Sequence, residues 1–145
     1  MAFRFPLATV LRVKESIEKR EERALQRIQL EMARVARKIE EIDEGIAKAR
    51  REREQTMQQT MPAGQLQTML WEAQSALESR KALVQALQTL EHQRDKQVKI
   101  YQAAHREHET LINLKREKRE LYDLDQTRAQ QKYLDDIFMA RRHRA

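Results

Sequence analysis

A chain of 145 residues with 36% charged and only 5% aromatic side chains has too little apolar material for an ordinary globular core. The absence of cysteine excludes disulfides and thiol chemistry and suits a cytoplasmic protein. The net charge of +6 favours acidic partners, yet charges of both signs are interleaved throughout, and the Ala, Leu, Glu, Gln, Lys and Arg content is that of long helices and coiled coils.

The start, Met1-Ala2-Phe3-Arg4-Phe5-Pro6, does not read as a secretory signal, because Arg4 and Arg12 interrupt the short apolar stretch. No apolar run anywhere approaches the roughly 18 residues of a membrane span. Pro6 fits the first turn of a helix, where its missing N–H costs nothing, and a first helix is predicted over about 6–58. From Leu25 the apolar positions Leu25, Ile28, Met32, Val35, Ile39, Ile42, Ile46 and Ala49 alternate steps of three and four, a heptad seam. Extended backwards, the register lands on Glu21, Glu18 and Lys14, whereas the upstream stripe is Leu7, Val10, Leu11 and Ile17. A stutter near residues 18–24 is therefore expected. Gly45, alone in this pattern, costs about 1 kcal/mol of helix stability relative to alanine and is either a tolerated weakness or a bend.

Met61-Pro62-Ala63-Gly64 holds one of two prolines and one of two glycines in the chain and predicts a turn over about 59–65. A second helix is predicted over about 66–140. Its seam runs through Leu66, Leu70, Ala73, Leu77, Val84, Leu87, Leu90, Val98, Tyr101, Ala104, Leu111 and Ile112, with Arg80, Arg94 and His108 on or beside it. Folding at Pro62 brings Ile46 near Leu77, Ile39 near Val84, Val35 near Leu87 and Leu25 near Val98, as a short connection between antiparallel helices requires. Each arm is expected to be on the order of 80 Å long. The predicted fold is thus all-α, a single domain over 1–145 forming a long two-helix antiparallel coiled-coil hairpin with an overhanging C-terminal helix from about residue 118. The same seams would also pair between chains. The overhang carries Leu121, Tyr122, Leu124, Tyr133, Leu134, Ile137, Phe138 and Met139, an apolar face that is frayed, folded back or covered by another protein.

Catalytic signals are missing. Gly45 and Gly64 belong to no phosphate-binding loop, and Ser16, Ser75 and Ser79 lie in helical stretches without a nucleophile elbow. The pairs Glu40/Glu41 and Asp135/Asp136 read as solvated charge. His105 and His108, three apart and beside Glu109, offer a metal two nitrogens, but zinc needs three or four ligands, so interhelical polar packing accounts for them better. Trp71, near the turn, either shields the end of the coiled coil or stands out as an aromatic anchor. The basic ends Lys115-Arg116-Glu117-Lys118-Arg119 and Arg141-Arg142-His143-Arg144 leave nucleic-acid binding, or a basic coiled-coil adaptor, as the alternative. Interleaved acids and the lack of stacking aromatics weigh against nucleic acid.

The stretch Phe3-Arg4-Phe5-Pro6-Leu7-Ala8-Thr9-Val10-Leu11-Arg12-Val13-Lys14, leading into Glu18-Lys19-Arg20-Glu21-Glu22, resembles the flagellar export protein FliJ family. So does Lys115-Arg116-Glu117-Lys118-Arg119-Glu120 followed by Leu124-Asp125-Gln126 and Leu134-Asp135-Asp136-Ile137, and the length and layout fit over essentially the whole chain. The resemblance implies a non-enzymatic, cofactor-free component of the flagellar type III export apparatus, similar to the central stalk of rotary ATPases. It would be cytoplasmic and peripheral at the inner face of the cell membrane. Its implied partners are the hexameric export ATPase, the cytoplasmic domain of the export gate protein FlhA and export chaperones, with no nucleic acid and no small-molecule ligand. On that likeness Leu7, Val10, Leu11, Leu121, Leu124, Leu134, Ile137 and Phe138 are the expected ring contacts, and Met57, Met61 and Trp71 the expected gate or chaperone contacts.

Overall fold

The computed structural model describes residues 2–144; Met1 and Ala145 lie outside the described residues. Two helices account for nearly all of it, α1 (Ala8–Met57) and α2 (Ala63–Arg144), and there is no strand among the described residues. The all-α helical hairpin is the fold.

α1 begins two residues after Pro6. The Phe5 carbonyl accepts the Ala8 N–H at 3.1 Å and the Leu7 carbonyl accepts that of Leu11 at 2.8 Å. Pro6 is thus the second residue of a turn, where its fixed φ is preset and no N–H is required. The turn folds Phe5 inward, leaving it 8% exposed.

The link between the helices is 58–62, shorter than the expected turn. The carbonyl of Pro62 accepts the N–H groups of Gln65 at 3.1 Å and Leu66 at 3.3 Å, so α2 starts immediately after the proline and Ala63 and Gly64 form its first turn. Gly64 has no positive φ and serves as an ordinary helical residue; no left-handed conformation is needed here.

Contacts group the chain into two compact units, one of the residues up to Arg20 with those from Tyr101 onward, the other Glu21–Ile100. In the second unit the α1 seam from Leu25 to Ile46 is withdrawn from solvent as its periodicity requires. Val35 lies deepest at 6% exposure, and Ala49 is exposed. On α2 the covered stripe is Leu66, Met69, Ala73, Ala76, Arg80, Leu83, Leu87, Leu90, Arg94 and Gln97, again in steps of three and four. Leu70 and Leu77, expected on the seam, are 51% and 56% exposed. Small Ala73 and Ala76 admit Ile42 and Ile46, with which they share a groove. Arg80 lays its stem across the seam and bonds Asp43 at 2.6 Å, an outcome that a search for apolar residues alone passes over. Asp43 against Arg80 lies between the expected pairs Ile46/Leu77 and Ile39/Val84, so the register set by the fold at Pro62 holds.

In the first unit the seam does not stutter. Leu11, Lys14 and Glu18 continue the strict register and are half-buried, because each polar side chain finds a partner on α2. Ala104 is the buried α2 residue of this unit, at 7% exposure.

α1 continues through Gly45 without interruption, and a Cβ built there meets nothing within 4 Å. Gly45→Ala therefore lowers the backbone entropy of the unfolded chain without a clash. Denaturant titration is expected to show the variant more stable by about 0.5–1 kcal/mol. A loss of stability would mean that the helix bends there.

Candidate interaction surfaces

The first unit is held by a polar cluster at the seam. His105 and His108, on successive turns of α2, each direct Nδ1 to one oxygen of Glu18 on α1, at 2.8 Å for His105, while Glu18 and His108 keep side-chain exposures of only 16%. The other ring nitrogen of His105 faces Glu109 at 3.6 Å, and its ring lies alongside Tyr101 with centroids 6.1 Å apart. One turn away, the Lys14 ammonium meets Glu107 at 2.8 Å. The interhelical role expected of the two histidines is the one they take, and among the described residues no group of His, Asp and Glu could hold a metal ion. The hydrogen bond from His105 holds the Glu18 carboxyl below its ordinary value despite partial desolvation. The same bond raises the His105 imidazole above its ordinary value.

Towards the chain start, Phe3 packs tilted against Tyr122 with centroids 5.5 Å apart, and the Arg119 guanidinium lies 5.2 Å from the Phe3 ring centre. Phe3 thus carries the pairing of α2 to Tyr122, a few residues past the point where a helix starting at Pro6 would run out of partner. From 123 to 144 every described residue but Ile137 is exposed. Neither Phe3 nor Phe5 belongs to a helical period that would mark it for packing. Their apolar spacing just ahead of Pro6 was the available signal.

Of the expected ring contacts, Leu11 and Ile137 are half-buried, and Leu7 and Val10 are 38% and 42% exposed. Leu121, Leu124, Leu134 and Phe138 are exposed. Leu134, Ile137 and Phe138 line one shallow groove with Arg141. Leu124 stands two heptads before Phe138 and so shares its side of the helix. In the second unit Met57 and Trp71 are exposed, Trp71 by 72%, and Met61 is half-buried. Trp71 therefore does not shield the seam.

The match that decides the family runs over residues 3–145, to the model described as flagellar FliJ protein. The chain belongs to the FliJ family. No curated protein and no solved structure matches it. FliJ membership makes it a component of the flagellar export apparatus, acting in protein transport within a non-catalytic family. No helix among the described residues of this FliJ-family chain is long and apolar enough to cross a membrane.

The Glu18–His105 contact makes stability depend on pH from both sides. Glu18, with its lowered value, contributes above the ordinary carboxyl value of 4.5, and that contribution is lost as pH falls through the folded value. His105, raised, contributes fully below the ordinary imidazole value of 6.5 and loses it as pH rises through the folded value. Resistance to denaturant is expected to be greatest between those two values and to decline on the alkaline side. Glu18→Gln should flatten that decline, and an unchanged pH profile in the variant would show that the contact carries no proton linkage.

Proposed function

We propose that this chain works as a stalk: the part carrying both termini enters the ring of the hexameric export ATPase, and the residues around the turn meet the FlhA cytoplasmic domain and export chaperones. In this reading the protein does no chemistry and stays peripheral at the inner face of the membrane through its partners. The observation that carries it is the C-terminal part of α2, helical to Arg144 with Leu124, Tyr133, Leu134, Phe138 and Met139 all exposed. Exposed apolar side chains repeated along one helix mark a surface that another protein covers. A single helix is also narrow enough, at about 10–12 Å with side chains, to be surrounded by a ring.

Leu7, Val10 and Leu11 would add to that contact from α1 beside Leu121, Leu124, Leu134, Ile137 and Phe138. Met57, Met61 and Trp71 suit a different role, since thioethers adapt to several partner surfaces and an exposed indole anchors them. A stalk changes ring activity only through differential contact: binding one arrangement of the subunits more tightly than the others shifts the population toward it. Stimulated hexamer assembly and turnover are the consequence.

Capture of the purified export ATPase tests the reading. Leu134→Asp with Phe138→Asp is expected to weaken binding by roughly a hundredfold or more, since anchor residues are each worth on the order of 2 kcal/mol. Trp71→Ala should leave it intact while weakening capture of the FlhA domain. Full ATPase binding by the double variant would remove the C-terminal helix from the contact.

A further inference from the structure

The positions Ile112, Lys115, Arg116 and Arg119 are spaced as i, i+3, i+4 and i+7 and so share one face of α2, where with Phe3 they line a shallow groove. Its floor is apolar: Ile112 is 43% exposed, and the Phe3 ring is fixed beside it by Tyr122 and Arg119. Its rim is cationic and poorly neutralised. Arg119 pairs with Asp123 at 3.4 Å, both side chains being largely exposed. Among the described residues the Arg116 guanidinium bonds the neutral Asn113 amide and pairs with no carboxylate, and Lys115 pairs with none either. Glu117 lies two residues from Lys115 and from Arg119 and so points off this face, while Glu120, four residues after Arg116, borders the face without an ion pair to Arg116 among the described residues.

We propose that this face is a docking groove for an acidic peptide segment of a partner protein, one that sets an apolar side chain on Ile112 and Phe3 and its carboxylates on Lys115 and Arg116. An excess of cations around an apolar floor is complemented by that combination and by neither part alone. A nucleic acid fits less well. The Phe3 ring is already engaged by Tyr122 and Arg119 and offers no free stacking platform, and beyond Arg119 the acids Glu120 and Asp123 end the short cationic stretch that a phosphate backbone would need to follow further. The groove uses none of the residues assigned to ring, gate or chaperone contact, and its test is read on the isolated chain, so its failure and that of the stalk reading are distinguishable.

The test is fluorescence anisotropy on the full chain with a synthetic peptide repeating Leu-Glu-Glu-Leu, against the same peptide with Gln for Glu. The acidic peptide is expected to bind with strong salt dependence and the Gln peptide not to bind. Lys115→Glu with Arg116→Glu should lower the affinity at least about tenfold, and Ile112→Ser should also weaken it, while Arg128→Glu with Lys132→Glu, an equal change of charge further along α2, leaves it unchanged. Circular dichroism of each variant, read with the binding, separates loss of the groove from loss of the helix. Equal losses in both charge-reversed pairs, no effect of Ile112→Ser in a folded variant, or tighter binding of phosphatidylserine vesicles or duplex DNA than of the acidic peptide would each overturn the proposal.

Discussion

A helix packed against a single other helix covers only one stripe of its surface, and this constraint runs through the whole molecule. Phe5, Val35 and Ala104 fall below a tenth of their possible exposure, and no large side chain among the described residues is fully enclosed. Half-buried seam residues return only part of the roughly 1.5–3 kcal/mol that a wholly buried aliphatic or aromatic side chain contributes. Stability must therefore accumulate along the length of the pairing, and a strict three-four alternation matters more than any one contact.

The same thinness lets polar residues occupy the seam. Arg80 and Asp43 keep close to half their exposure, so solvent screens their pairing and it adds little to stability. Its value is in register. Glu18 is a stronger case because it is shielded: sliding α1 by one heptad in either direction would move its carboxylate from the two imidazoles to Val98 or Ile112, with a desolvated charge left unpaired. Gln97, which donates to the Glu21 carboxylate at 2.6 Å, works in the same way in the other unit. Apolar heptads alone would tolerate such a slip.

Helices, hairpin and register were legible because they rest on periodicity and on the placement of Pro62, both local properties of the chain. Two features escape periodicity for one shared reason, namely that apolarity alone does not mark a seam position. Glu18 and Lys14 looked like evidence for a stutter, and Leu70 and Leu77 looked like core, whereas hydrogen-bonding partners draw Glu18, Lys14 and Arg80 inward and leave the two leucines outside. A fold at Pro62 pairs residue 18 with residue 105, so the carboxylate and the imidazole could have been matched from sequence by asking which polar residues meet. The packing of Phe3 on Tyr122 was harder to find, because residues before a helix carry no period to follow. The exposed apolar residues of the C-terminal helix were legible as a surface without a partner in their own chain, but a sequence names no occupant.

That C-terminal segment has a further property that follows from its lack of cover. A helix without tertiary packing depends on local propensity, and at about twenty residues it is only marginally stable in water. Arg141, Arg142, His143 and Arg144 in its last turn suit the negative end of the helix dipole and add a few tenths of a kcal/mol each. Such contributions shape the helix without fixing it as firmly as the paired stretch before Tyr122. A partner that covers Leu124, Leu134 and Phe138 would therefore supply ordering as well as contact, and the two would be thermodynamically coupled: whatever arrangement of the partner best covers the stripe is also the one that the ordered helix favours.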